Sequence, residues 1–243
     1  MSTKKDKFSI KDKLYMGLAL DLAKSREGHT GSNPSVGCVI VKDDKIISIG
    51  QTSLNGRPHA EYNAIKNCHE EIQGSKMYVT LEPCCHHGKT SPCTSSIINS
   101  KLSEVIYSIK DIDKRVSGKS KKILNSKKII VKTGLLKQQV TQFYESYFYN
   151  RKYRLPFVTG KIAVSKNNLI YSKGNKRITN KLSDNLTHLL RYKNDSIMVS
   201  YKTLNKDNSK LNARIKKFKN FTPKRVILDN ELNLNTKSYL FKT

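Results

Sequence analysis

The sequence lacks the features of membrane and exported proteins. It contains no run of about 20 apolar residues, the length that a transmembrane helix needs. After Met1, residues 2–7 are all polar or charged, so the apolar core of a secretory signal is missing as well. We therefore expect a cytoplasmic protein with no membrane partner. Its 243 residues, 37% of them hydrophobic, are enough for two compact domains.

Cysteines are few and odd in number, which argues against a framework of disulfide bonds. The five are Cys38, Cys68, Cys84, Cys85 and Cys93, and the last three lie within ten residues. In a reducing compartment such clustering indicates metal binding or catalysis. We interpret Cys38 as part of an apolar core strand and Cys68 as a thiol buried by a helix.

Acidic residues are also scarce. The 19 Asp and Glu residues oppose 46 Lys and Arg residues, which gives a formal net charge of +27. Such a charge is typical of proteins that bind nucleic acids or phosphorylated compounds. Because the basic residues are spread along the whole chain, we favour a general lysine bias over a nucleic-acid surface. A phosphorylated small molecule would need only a few of these charges.

Helix and strand patterns alternate along the first 150 residues. Ile10, Leu14, Leu18 and Leu22 recur every four residues and predict a helix with one apolar face. The further predicted elements are strands 36–41 and 46–49, a helix from His59, strand 77–81, helix 92–100, strand 105–109, helix 121–125, strand 129–131 and helix 135–149. This order predicts an α/β sandwich with helices on both faces of a mixed sheet.

A second α/β unit is predicted after the basic stretch 150–155, which we interpret as a domain junction. Its predicted elements are strand 157–164, helix 180–192, strand 196–199 and strand 226–228. About 88 residues remain for this unit, and they stop shortly after a strand.

Two short segments carry the chemistry: P-H-A-E at 58–61 and L-E-P-C-C-H-H-G-K-T-S-P-C at 81–93. His59, Cys84 and Cys93 supply the three protein ligands that a catalytic zinc ion takes. Glu61 shares the first helical turn with His59, so it can move a proton from the activated water to a leaving amine. The order H-x-E, then P-C and a second cysteine, is that of zinc-dependent nucleobase deaminases. Eight residues separate the two cysteines, so a loop must carry Cys84 back to the metal.

Three alternatives stay open at this point. A purely structural zinc would take a fourth ligand from Cys85, His86 or His87. A basic, zinc-stabilised module could bind nucleic acid without catalysis, although such a site has no use for Glu61. A deaminase acting on a nucleoside or on a tRNA base would also explain the high charge.

Three motifs together resemble the bifunctional riboflavin-biosynthesis deaminase/reductase family over residues 10–150. They are T-G-S-N-P-S-V-G at 30–37, H-A-E at 59–61 and P-C-C-H-H-G-K-T-S-P-C at 83–93. The resemblance implies a three-layer cytidine-deaminase-like sandwich over 8–150, with Zn²⁺ on the three ligands and Glu61 as proton shuttle. It implies hydrolytic deamination of the phosphorylated diaminohydroxyphosphoribosylaminopyrimidine intermediate. The residues implied to contact this substrate are Asn33, His87, Lys89 and Thr90.

Residues 156–229 resemble the N-terminal part of the same family's reductase domain. The matching segments are K-I-A-V-S-K-N-N at 161–168, R-I-T at 177–179, H-L-L-R at 188–191 and P-K-R-V-I-L-D at 223–229. The resemblance implies a partial dihydrofolate-reductase-like α/β domain over 156–243 that uses NADPH. The implied substrate contacts are Arg191, Leu211 and Arg214, and the implied cofactor contacts are Ala163, Thr203 and Asp207.

The reductase pattern is incomplete in this sequence. The family's tryptophan, its D-G turn and its later E-G-G segment are absent. We therefore expect either that the chain is a fragment or that reductase activity is lost. The sequence leaves the oligomeric state open, a homo-oligomer included.

Overall fold

The computed structural model describes residues 8–88, 90–170, 177–215 and 221–242. These residues form two compact units, which divide between Val158 and Thr159. Each unit combines helices with a sheet of its own, so the predicted α/β class is confirmed. None of the helices in these ranges has both the length and the apolar character that crossing a bilayer requires.

The first unit is built on a five-stranded sheet. Its strands are β1 (Gly37–Lys42), β2 (Lys45–Gln51), β3 (Lys76–Leu81), β4 (Glu104–Ile109) and β5 (Ile130–Thr133). They lie in the order β2-β1-β3-β4-β5. β1 runs antiparallel to β2 and β3, whereas β3, β4 and β5 are parallel. The sheet is therefore mixed, as the sequence predicts.

Helices lie on both faces of this sheet. In chain order they are α1 (Ile10–Ser25), α2 (Ala60–Lys66), α3 (Cys93–Asn99), α4 (Lys119–Ser126), α5 (Lys137–Phe143) and α6 (Glu145–Tyr153). Alternate side chains of a strand point to opposite faces. Accordingly, Val39 and Tyr78 pack with α1, whereas Ile40 and Val79 belong to the core that contains residues of α2 and α3. This arrangement is the predicted three-layer sandwich.

The buried face of α1 differs from the predicted one. Ile10 and Leu14 are 76% and 66% exposed. The residues that α1 does bury are Met16, Ala19, Leu20 and Ala23. Small residues let the helix lie close to β1, since a Cβ atom added to Gly37 would lie 1.9 Å from the Ala19 carbonyl oxygen. The prediction for the N-terminal end of the helix was wrong because spacing alone does not show which side packs closely.

The helix predicted over 135–149 is divided into α5 and α6 at Tyr144. This residue is buried, with φ −89° and ψ 8°. Its hydroxyl donates to the Ser35 carbonyl oxygen at 2.7 Å and lies 2.7 Å from the Thr80 hydroxyl. Both contacts are long-range in sequence, so local periodicity could not predict the break that they anchor.

The second unit contains α7 (Lys181–Lys193), β6 (Ser196–Ser200), α8 (Tyr201–Asp207) and β7 (Lys224–Leu228). β6 and β7 pair in parallel, in agreement with two of the predicted strands. The short, polar α8 was not predicted. The strand predicted over 157–164 is wrong, since this segment has no strand structure. An extended segment becomes a strand only beside a partner, and no strand in the described part of the chain pairs with it.

Candidate active site

The start of α2 brings His59 and Glu61 to one place. His59 is the N-cap residue, with an extended backbone, and Glu61 lies in the first turn. The Glu61 side chain is buried, at 4% exposure. The helix lies close to the sheet, since a Cβ atom added to Gly50 would be 2.3 Å from the Ala60 carbonyl oxygen. Backbone packing therefore sets the position of the imidazole and of the carboxyl group.

The two cysteines meet His59 from the other side. Cys93 is the first residue of α3, and its Sγ lies 3.4 Å from His59 Nδ1. Cys84 Sγ lies 3.6 Å from the same nitrogen and accepts the backbone N–H of Cys93 at 3.3 Å. The N–H of Thr94 donates to the Cys84 carbonyl oxygen at 3.1 Å, which closes the loop between the cysteines. The loop thus returns Cys84 to the metal ligands, as the sequence predicts.

The donor set and its spacing fit a zinc ion. In a tetrahedral site with Zn–N near 2.0 Å and Zn–S near 2.3 Å, nitrogen and sulfur lie about 3.5 Å apart. The ligand atoms of His59, Cys84 and Cys93 all lie within 4.8 Å of one another. In the ranges that the structure describes, this cluster contains three protein ligands, the number of a catalytic site. Cys85 does not join it, because its Sγ lies 3.5 Å from the Arg115 carbonyl oxygen.

Protonation in the cluster is strongly perturbed. Hydrogen bonding with Cys93, reinforced by His59, lowers the pKa of Cys84 to about 4, so this residue is a thiolate at neutral pH. The neighbouring Cys84 thiolate and burial raise the pKa of Cys93, a direction that a coordinated metal ion would reverse. Burial raises the pKa of Glu61 to about 7. A carboxyl group that titrates near neutral pH can both accept and release a proton.

A pocket lies beside the cluster and includes some of the predicted substrate contacts. Asn33 and Thr90 line it together with His59 and Glu61. Asn33 Nδ2 donates to the Gly56 carbonyl oxygen at 3.0 Å, which holds the amide at the pocket wall. The substrate-binding roles of both residues stay predictions.

The other two predicted contacts, His87 and Lys89, belong to the loop between the cysteines. His87 is exposed and is not among the lining residues, whereas its neighbour His86 does line the pocket. Lys89 lies outside the described residues. The motif identifies the loop, but only the loop's path decides which of two adjacent histidines turns inward.

Several lining residues were missed by the sequence analysis. They are Arg57, Asp111, Asp113, Arg115, Tyr147 and Arg151. The two aspartates follow the carboxyl end of the parallel strand β4, where α/β proteins commonly bind ligands, so a signal for them existed. Nothing in the local pattern marks Arg151, which lies in α6 within the stretch interpreted as a junction.

Glu82 holds one wall of this pocket in place. It follows β3 directly and is 3% exposed. Its carboxylate accepts hydrogen bonds from Ser120 Oγ at 2.6 Å, from the Gly118 N–H at 3.0 Å and from the Asp111 N–H at 3.4 Å. These donors span the segment between β4 and α4. Because Cys84 is two residues further along, one carboxylate connects the metal loop to the opposite wall.

Three of the predicted reductase residues lie together in the second unit. Arg191 Nη1 lies 3.2 Å from His188 Nδ1 and donates to the Asn212 carbonyl oxygen at 3.4 Å. The Arg214 N–H donates to the same histidine nitrogen at 3.2 Å. Leu211 is buried nearby in sequence, at 3% exposure. The predicted substrate residues are thus grouped, and their role stays a prediction.

The predicted NADPH contacts do not form an enclosed site. Thr203 and Asp207 are exposed residues one turn apart on α8, and Ala163 lies in a segment without regular structure. No side chain of β6 or β7 is buried. Cofactor sites are concave and largely apolar. The described residues of this unit therefore do not fit NADPH by themselves, and we assign no reductive step to them.

Two family models match the chain, one in each half. Residues 9–109 match the cytidine and deoxycytidylate deaminase zinc-binding region. Residues 157–243 match the RibD C-terminal domain.

Individual relatives extend this similarity. The riboflavin biosynthesis protein RibD of Aquifex aeolicus is 36% identical over 234 residues, which cover 96% of this chain and 65% of the relative. The diaminohydroxyphosphoribosylamino-pyrimidine deaminase of Buchnera aphidicola subsp. Schizaphis graminum is 42% identical over 147 residues, 60% of this chain and 100% of the relative. A Thermotoga maritima deaminase/reductase structure superposes with a TM-score of 0.86 at 34% identity, covering 95% of this chain and 66% of that chain.

The chain spans just under two thirds of the length of the Aquifex protein. Within that span, the order of the two domains, the identities and the superposition agree. The chain therefore belongs to the RibD family of riboflavin biosynthesis proteins.

Proposed function

We propose that the first unit catalyses zinc-dependent hydrolytic deamination of the diaminohydroxyphosphoribosylaminopyrimidine intermediate of riboflavin biosynthesis. The observation that carries this proposal is the convergence of His59, Cys84 and Cys93 beside the buried Glu61. The Buchnera relative is named for this deaminase, and the whole length of that relative aligns with this chain.

Each group of residues in the pocket has a separate role in the proposed reaction. His59, Cys84 and Cys93 would hold the zinc ion, which would supply the Lewis acidity that makes a water molecule nucleophilic at neutral pH. Glu61 accepts the proton that this water loses and delivers it to the departing amine, which leaves as ammonia. Its burial, and its pKa of about 7, suit both halves of this transfer. The amide of Asn33 and the hydroxyl of Thr90 orient the pyrimidine by hydrogen bonds.

Ammonia release tests the substrate assignment. It is measured in parallel on the phosphorylated pyrimidine intermediate, on cytidine and on tRNA, with zinc determined in the same preparation. We expect release from the pyrimidine intermediate alone. Release from cytidine or tRNA, with none from the intermediate, would assign the domain to another class of deaminase.

Glu61→Gln tests the proton transfer. The amide cannot accept the proton, so the rate of ammonia release should fall about 10²- to 10⁴-fold. The zinc content should stay unchanged, because Glu61 is not one of the three clustered ligands. Turnover close to that of the unmodified chain would refute the assignment.

The match to the RibD C-terminal domain implies NADPH as a cofactor of the second unit. Our second proposal concerns how well the described residues bind it. We infer that the described residues of the second unit bind NADPH weakly or not at all, because the implied contacts are exposed. A fluorescence titration with NADPH tests this. Micromolar affinity would show that the unit forms a cofactor site after all.

Two further expectations stay predictions. A homo-oligomer would be detected by light scattering of the purified chain. A cytoplasmic location agrees with the clustered free cysteines and would be tested by cell fractionation.

A further inference from the structure

The three arginines that line the pocket differ in how their charge is compensated. Arg115 Nε donates to both carboxylate oxygens of Asp113, at 3.0 and 3.1 Å, and the two residues form an ion pair. Arg57 and Arg151 form no ion pair with any carboxylate in the described part of the chain. The acidic side chains of the same pocket therefore leave two guanidinium charges available.

Arg57 is fixed above the cysteine loop. Its Nη1 donates to Thr90 Oγ1 at 2.6 Å, and its Nη2 lies 3.8 Å from the position of a Cβ atom added to Gly88. The side chain is half-buried. No other hydrogen bond from this guanidinium to a described residue is formed, so its remaining N–H donors are free for a ligand.

Arg151 is fixed on another wall of the pocket. Its Nη2 donates to the Ser32 carbonyl oxygen, and its guanidinium carbon lies 5.3 Å from the centre of the Tyr147 ring. These contacts with Ser32 and Tyr147 orient a planar group that keeps further donors. Ser32 precedes the pocket residue Asn33, so Arg151 lies beside the predicted substrate contacts.

We propose that Arg57 and Arg151 bind the phosphate of the substrate's phosphoribosyl group and so set the preference for a phosphorylated pyrimidine. Guanidinium groups match the oxygen geometry of phosphate and pair with it through parallel hydrogen bonds. A phosphate subsite needs positively charged groups that are held in place and are not neutralised by carboxylates, and Arg57 and Arg151 meet both conditions. The proposal rests on the proposed deaminase function, because it assumes a phosphoribosyl pyrimidine in this pocket.

The test compares two substrates in four variants. The KM of Arg57→Gln and of Arg151→Gln should rise about tenfold or more for the phosphorylated pyrimidine, since each loses a charged hydrogen bond. For the same pyrimidine without its phosphate the KM should rise much less, because only the loss of indirect contacts such as that between Arg57 and Thr90 affects it. Arg154→Gln is the matched control, because this exposed arginine at the end of α6 does not line the pocket. Arg151→Lys should recover part of the affinity. An unchanged KM, or an equal rise for both substrates, would overturn the proposal.

A binding measurement separates this proposal from the proposed function. Ribose 5-phosphate is titrated calorimetrically into the zinc-loaded full chain carrying Glu61→Gln, with and without Arg57→Gln. Binding that is lost with Arg57→Gln supports the phosphate subsite even if no ammonia is released from any pyrimidine. If the chain deaminates the pyrimidine but Arg57→Gln does not change the binding of ribose 5-phosphate, the phosphate subsite is refuted and the deaminase function is retained.

Discussion

The substitution Glu82→Gln tests whether one buried carboxylate holds the pocket wall. Its two oxygens accept the hydroxyl of Ser120 at 2.6 Å and the N–H of Gly118 at 3.0 Å. A glutamine keeps one oxygen for the Gly118 N–H and presents its NH₂ group to Ser120 Oγ, which can accept because a hydroxyl is both donor and acceptor. Both contacts then lose their charged partner. A hydrogen bond to a charged group contributes about 1.5–3 kcal/mol. A neutral hydrogen bond contributes about 0.5–1.5 kcal/mol, so converting both charged bonds into neutral ones should lower the free energy of unfolding by about 1–3 kcal/mol.

Urea denaturation of the zinc-loaded chain measures this change. The midpoints of the first unit's transition are compared at equal m-values for the unmodified chain, Glu82→Gln and Glu71→Gln. Glu71 pairs with Lys42 at 3.0 Å but its side chain is 76% exposed, so the control should lose less than about 0.5 kcal/mol. If Glu82→Gln loses no more than the control, the carboxylate does not hold the wall and our reasoning is wrong.

Three further outcomes are expected. Cys93→Ser should lower the zinc content, because a hydroxyl is a poorer zinc ligand than a thiolate; an unchanged content would remove Cys93 from the ligands. Gly37→Ala should lower the free energy of unfolding by about 3 kcal/mol, since its Cβ would lie 1.9 Å from a backbone oxygen. Gly17→Ala is the control, because no atom lies within 4 Å of its added Cβ, and it should raise the free energy of unfolding by about 0.5–1 kcal/mol. If both substitutions changed the free energy of unfolding in the same direction, close packing at Gly37 would not be the cause. Hydrogen bonding from Arg115 lowers the pKa of Asp113 to about 2, so the stabilisation from this pair is present above pH 3.8 and is lost as the pH falls toward 2. NMR titration should show this pKa rising toward 3.8 in Arg115→Gln, and an unchanged value would exclude the hydrogen bond as the cause.

The identity of the metal ligands could be predicted because the motifs that mark them are local. A histidine at the start of a helix and a cysteine at the start of another are recognisable from short motifs and from helix-start signals. The residue types restrict the metal, and Glu61 follows from its spacing to His59. The same locality explains why the strands of the mixed sheet were found within a few residues of their bounds.

Predictions failed where long-range contacts decide the outcome. The break at Tyr144 depends on hydrogen bonds to Ser35 and Thr80, and the buried side of α1 depends on its close approach to Gly37. The strand predicted over 157–164 is absent because strand formation needs a partner that local sequence does not specify.

The chemistry proposed for the first unit follows from short motifs, because ligand type and helix-start spacing are encoded within a few adjacent residues. The surroundings of the metal ligands depend instead on long-range packing. His86 lines the pocket whereas His87 is exposed, and Arg151 donates to a carbonyl group 119 residues away in the chain. Such contacts follow from how the loops and helices pack together, and no local pattern of residues records that packing.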